Sequence, residues 1–167
     1  MPNSVSHPHT IQNFSAPICE KLLFYWRTKS SWKDCPAWSD IDLMEIKEIA
    51  PFITVCDAVD GGAEFVARYF GTGIVEIFGF DRTGKCVSDG YPAEKVEMIV
   101  NRYRLPFTTG EPARVVGHLT AVGKDYPLSF EAIYLPLRGK SGAIEHVISA
   151  YDFSYDLQPE DDEIIFD

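Results

Sequence analysis

Three apolar-alternating runs follow one another in the C-terminal part of the chain: ARVVGHLTAV (113–122), YPLSFEAIYLPL (126–137) and AIEHVISAYDF (143–153). Only Gly123-Lys124-Asp125 and Gly139-Lys140-Ser141-Gly142 separate them, and both linkers have the chemistry of turns. Parallel neighbours need a crossover of a dozen residues or more, so linkers this short make the three strands antiparallel. An earlier pair, FITVCDA (52–58) and EFVARYF (64–70), is joined by Asp60-Gly61-Gly62 and reads as a β-hairpin. Between hairpin and meander lies PAEKVEMIVNRY (92–103), a helix with Pro92 in its first turn and Val96, Ile99, Val100 and Tyr103 on one side. Two strands, a helical crossover and three strands predict an α+β domain with one five-stranded antiparallel sheet.

The link between hairpin and helix, RYFGTGIVEIFGFDRTG (68–84), carries Gly71, Gly73, Gly79 and Gly84. A dinucleotide loop needs glycines at relative positions one, three and six, and the sixth here is Glu76. A carboxylate there opposes the anionic ligand that a helix N-terminus would attract. No Gly-Lys-Ser/Thr follows, so the segment is not a P-loop. Two or three short helical turns broken by glycine are expected instead.

Upstream, residues 1–16 read as a flexible polar leader, whose His7 and His9 define no specific metal site. Residues 17–50 form a helical extension. PICEKLLFYWRTKSSW predicts a helix over 17–32, with apolar residues on more than one side. A homodimer contact through Leu22, Leu23 and Trp26 is therefore expected, with burial in the helix's own chain as the competing reading. DLMEIKEIAPF predicts a second helix, capped by Asp42 with Glu45 three residues on and ended at Pro51. The domain proper spans 51–153, and the acidic tail over 154–167 is expected to be loose or only partly docked.

The net charge of −10, from 15 basic and 25 acidic residues, disfavours nucleic acid and anionic membrane as partners. The apolar runs are too short to span a bilayer, and no signal peptide is visible. Cys19, Cys35, Cys56 and Cys86 lack metal or redox spacing and suggest buried thiols in a reduced cytoplasmic setting.

This order of elements resembles a PAS domain. FVARYFGTGIVEIFGFDRTGK fits the glycine-punctuated cluster after the PAS hairpin, with Arg68–Thr72, Phe78–Gly79 and Thr83–Gly84 as its marks. With LLFYW upstream and EAIYLPL downstream, the chain looks like the alphaproteobacterial stand-alone proteins known as PAS family 5, over about residues 17 to 153. The resemblance implies a bacterial signalling or regulatory module whose helices wall a cavity over the sheet. It would act through homodimerisation or a protein signalling partner, since no output domain fits within 167 residues.

PAS folds host flavin, haem or small metabolites, and many bind nothing. Cys86, in GKCVSDG, stands near the photoreactive cysteine of flavin members, but the Asn and Gln that hold flavin are absent. No His lies between Pro92 and Thr109, where haem-binding members take their axial ligand, and His118 and His146 sit on strands. No haem or flavin is therefore expected, and a small-molecule ligand is left unidentified. No nucleophile motif marks an enzyme, so no catalytic residue is assigned. The rival readings are a haem- or flavin-binding redox or gas sensor and a small-molecule enzyme using the cavity.

The candidate ligand contacts are Arg68, Tyr103, His118, Glu131 and Tyr134. Glu131 shares a strand face with Ser129, Ile133, Leu135 and Leu137, where an ionised carboxylate is costly unless paired. Arg114, His118 and Arg68 are its candidate partners. It reads as an internal ion pair, a solvent-facing edge or a ligand contact. Glu131 and Tyr134 have opposite parity, so without a bulge they cannot line the same pocket.

Overall fold

The computed structural model describes residues 16–30, 34–121, 123–154 and 164–166, the last segment as backbone. His7, His9 and most of the expected leader lie outside these residues, as does the tail over 155–163.

The five strands form where the alternation placed them: β1 (Ile53–Val59), β2 (Glu64–Phe70), β3 (Ala113–Thr120), β4 (Pro127–Arg138) and β5 (Ile144–Asp152). They pair antiparallel in the order β2-β1-β5-β4-β3. The tail adds β6 (Ile164–Phe166), a sixth strand parallel to β3 with Leu119 in register with Phe166. The first and last strands of the domain, β1 and β5, lie side by side at the centre. The chain must therefore cross one face of the sheet between β2 and β3. α2 (Thr72–Phe78) and α3 (Ala93–Thr109) make that crossing.

Both faces are covered, so β4 is buried at every position from Phe130 to Leu137. The inner face (Cys56, Phe65, Ala67, Val115, Phe130, Ala132, Tyr134, Val147, Tyr151) packs against Ile74 of α2 and Ile99, Val100 and Tyr103 of α3. The outer face (Ile53, Val55, Val116, Ile133, Leu135, Leu137, Ile148, Ala150) packs against α1 (Pro17–Lys29). Cys19, Leu22, Leu23 and Trp26 of α1 supply that layer.

Leu22, Leu23 and Trp26, expected at a subunit contact, are buried against the chain's own sheet, as the competing reading had it. Leu22 is 0% exposed and Trp26 7%. Trp26 Nε1 donates to the Pro136 carbonyl of β4 at 2.8 Å. The apolar width of α1 serves its own sheet, because β4 and β5 offer it a mainly apolar outer face of Ile133, Leu135, Leu137, Ile148 and Ala150.

Two further elements differ from expectation. DLMEIKEIAPF folds as short 3-10 turns, Leu43–Ile46 and Ala50–Phe52, rather than one helix. The cap survives, with Asp42 accepting from the Met44 N–H at 2.9 Å. α3 runs past Tyr103 to Thr109 with Pro106 inside it, and ends on Gly110 at φ 73°. A buried proline is tolerated there because packing of the helix on the sheet offsets the missing hydrogen bond.

Of the four glycines over 68–84, Gly79 ends α2 at φ 87°, the left-handed conformation that glycine adopts without a Cβ penalty. Gly71 is needed for space instead. A Cβ on it would stand 2.3 Å from the Pro51 carbonyl oxygen and 2.7 Å from that of Ala50. Both are backbone atoms, and the Gly71 N–H also donates to Ile53 O at 2.8 Å. Gly71→Ala is expected to lower stability by about 1–3 kcal/mol, as overpacking against an unyielding neighbour does. Urea denaturation checks it, and a loss within surface-mutation scatter would mean that the 50–51 backbone yields freely.

Candidate functional site

The inner layer does not close completely. A cavity of about 160 Å³ lies between the sheet, the end of α2, the 79–92 segment and α3. Leu119, Phe130 and Tyr151 form its floor, Phe78, Phe80 and Tyr91 its aromatic rim, and Arg82, Lys95 and Arg102 its charged wall. A recess of about 20 Å³, room for about one water, continues it inward. The two share Phe78, Arg82, Tyr91 and Tyr151, and the recess adds Cys56 and Tyr103.

Behind that lining three phenols are chained. The Tyr134 and Tyr151 hydroxyls stand 2.6 Å apart, and those of Tyr151 and Tyr103 3.4 Å apart. Their rings meet edge to face, with centroids 5.0 Å apart for Tyr103 and Tyr134 and 5.9 Å for Tyr134 and Tyr151. Burial pushes Tyr103 and Tyr151 well above the ordinary phenol pKa and raises Tyr134. All three therefore stay neutral at physiological pH and can donate as well as accept. Burial likewise pushes the Cys56 thiol up to about 12, so it is no thiolate nucleophile at neutral pH.

Arg82 is 7% exposed and Arg102 3%. Arg82 donates from Nη2 to the Val87 carbonyl at 3.0 Å and sits over the ring of Tyr91, 4.9 Å from its centroid. Gly90 makes the position available, since a Cβ there would fall 1.6 Å from Arg82 Nη2. Arg102 and Tyr103 lie three and four residues after Ile99, so α3 turns all three toward the sheet.

The five sequence candidates separate. Tyr103 lines the recess, and Tyr134 stands one hydroxyl behind it. Arg68, His118 and Glu131 do not line this cavity. A β-bulge lets Val55 pair with Tyr69 and Cys56 with Ala67, leaving Arg68 without an opposite residue. Its guanidinium turns to the outer face and meets Asp57 Oδ1 at 2.8 Å, beside His146, which bonds the same oxygen at 2.7 Å. His118 alternates with Leu119 and so takes the outer side of β3, the parity of Arg114 and Val116.

Glu131 is 0% exposed on the outer face. Its Oε2 accepts from both Arg114 Nε at 2.8 Å and Nη2 at 2.7 Å, while Oε1 accepts from the Ala16 N–H at 3.1 Å. Asp152, in register with Glu131 on β5, accepts from the Ile18 N–H at 3.4 Å. Two sheet carboxylates thus receive the start of α1, where the helix dipole favours negative charge. Of the readings left open for Glu131, the internal ion pair is the one its geometry matches.

Arg82, Tyr91, Lys95, Arg102, Phe130 and Tyr151 were missed. Arg102 had a signal, a cation inside the 99, 102, 103, 106 apolar spacing. Arg82 had none, because its burial depends on how the 82–90 loop folds back, with the Val87 carbonyl accepting from it and Gly90 leaving it room. Cys86 is bridged to Val66 of β2 and is not part of the cavity lining, although its neighbours Lys85 and Val87 are. No group of three or more His, Cys, Asp or Glu suited to a metal occurs among the described residues, and no described helix is long and apolar enough to cross a membrane.

Residues 15–151 match the family described as PAS domain. No curated protein sequence matches the chain. Similar solved structures include a fungal LOV domain photoreceptor at 14% identity and TM-score 0.44, covering 70% of this chain and 94% of that one. A sensory box sensor histidine kinase from Vibrio cholerae matches at 16% identity and TM-score 0.45, covering 70% and 90%. The PAS domain from Bordetella pertussis BvgS matches at 17% identity and TM-score 0.40, covering 69% and 88%.

Proposed function

The chain belongs to the PAS domain family, and from that premise we propose that it is a non-catalytic sensory module whose inner cavity takes a small molecule. PAS domains are generally sensory modules, which supports the coarse reading. The observation that carries the finer one is the cavity of about 160 Å³, floored by Leu119, Phe130 and Tyr151 against the neutral tyrosine chain. An engineered cavity of about 150 Å³ holds benzene, so the space suits a single ring or a chain of similar size.

The non-catalytic part is supported by the described lining residues, which include no carboxylate or histidine to act as an ordinary general base. Output would pass to a protein partner or a second copy of the chain. The outward side of α1 suits this, since Phe24 is 62% exposed there while Leu22, Leu23 and Trp26 face the sheet. The four free cysteines are consistent with a reduced cytoplasmic setting, and a bacterial signalling context follows from the family 5 resemblance.

Titration of the isotopically labelled full chain with phenol tests the cavity. Amide shifts concentrated at Tyr91, Arg102, Leu119 and Tyr151 are the expected result. Saturating phenol that moves no amide around the cavity would leave the sensory reading without its site.

A further inference from the structure

The cavity draws cations out of an acidic chain. With 25 acidic and 15 basic residues, a random lining would hold more carboxylates than cations. Among the described residues, the lining instead includes Arg82, Lys95 and Arg102 and no Asp or Glu. Two of these cations are more than nine-tenths buried, a costly placement that a structure sustains where it has a use.

The groups that hold Arg82 position its charge without cancelling it. The Val87 carbonyl and the faces of Tyr91 and Phe80 are neutral. Gly90 is the backbone complement of that arrangement, the only kind of residue that leaves room for the guanidinium where it lies. The apolar remainder of the lining, Phe78, Leu119 and Phe130, suits the body of a ligand rather than its charge.

We propose that the cavity selects a small organic anion, a single ring or short chain bearing a carboxylate. The carboxylate would meet the Arg82, Lys95 and Arg102 wall, where planar guanidinium groups match its two oxygens. The body would lie against Phe78, Tyr91 and Phe130. This rests on the reading of the cavity as a ligand site and adds the charge class of what enters it.

Calorimetric titration of the full chain at low salt with benzoate, benzamide, benzamidinium and inorganic phosphate tests the proposal. Benzoate is expected to bind about tenfold more tightly than benzamide, the gain from making hydrogen bonds charge-assisted. Benzamidinium and inorganic phosphate are expected to bind more weakly than benzoate. Gly90→Ala, which moves the flexible end of Arg82 without deleting a buried charge, and Lys95→Gln at the half-buried rim should each reduce the preference for benzoate over benzamide. Equal binding of benzoate and benzamide would overturn the anion class. Phenol binding without benzoate binding would do the same and leave the cavity reading standing. Phosphate binding as tightly as benzoate would remove the organic body from the proposal. If neither phenol nor benzoate binds, both readings fall.

Discussion

Glu131→Ala is expected to destabilise the protein by about 3–5 kcal/mol, the range found when one partner of a buried ion pair is removed. The carboxylate is 0% exposed and accepts both Arg114 donors and the Ala16 N–H. Its loss leaves the Arg114 charge on a buried sheet face without that counter-charge, and the start of α1 without one of its two carboxylate acceptors. Denaturant unfolding followed by circular dichroism measures the effect. Replacing both partners, Arg114→Met with Glu131→Leu, is expected to recover most of the loss, because an apolar pair removes the desolvation penalty along with the attraction. A single-mutant loss below about 0.5 kcal/mol, the scatter of ordinary surface changes, would show that water reaches the pair and that it does not anchor α1.

Trp26→Ala is expected to cost about 3–5 kcal/mol, as large aromatic truncations in cores do. The indole packs on the outer sheet face among Leu135, Leu137 and Ile148, and its N–H donates to Pro136 O. That carbonyl keeps a second donor, the Cys35 thiol at 3.0 Å, so the loss is mainly one of packing. The measurement also separates core from interface. A core residue lowers the midpoint equally at all protein concentrations, whereas a subunit contact makes the midpoint concentration-dependent. If the wild type unfolds at a concentration-dependent midpoint and Trp26→Ala abolishes that dependence, the side chain belongs to an interface. The total stability of an ordinary domain is about 5–15 kcal/mol, so either substitution should be plain in a denaturation curve.

The strands were legible because their signals are local. Alternation has a period of two, and Asp60-Gly61-Gly62 and Gly123-Lys124-Asp125 mark the turns on either side of the crossover. The opposite parity of Glu131 and Tyr134 was legible for the same reason, and it places them on opposite faces. α3 reads short in sequence because Pro106 is a local stop, overruled by packing that the local pattern does not contain. Arg68 follows the inward Phe65 and Ala67, so alternation by itself turns it outward, and the bulge at Val55/Cys56 instead sends Tyr69 outward and Phe70 inward.

By itself, then, the amino-acid sequence determined the five strands, the antiparallel meander, the glycine-broken segment before α3 and the exclusion of a nucleotide loop. Each depends on residues within a few positions of one another. Only the tertiary structure decided that β5 pairs with β1, that α1 covers the outer face, and that Arg82, Lys95 and Arg102 share one cavity. The Ala16 to Glu131 hydrogen bond spans 115 residues of sequence, and the cavity brings Arg82 together with Leu119, Phe130 and Tyr151 from distant strands. Such contacts arise when whole faces are buried against each other. The free energy that selects them belongs to the assembled surfaces, so no short stretch of residues encodes it.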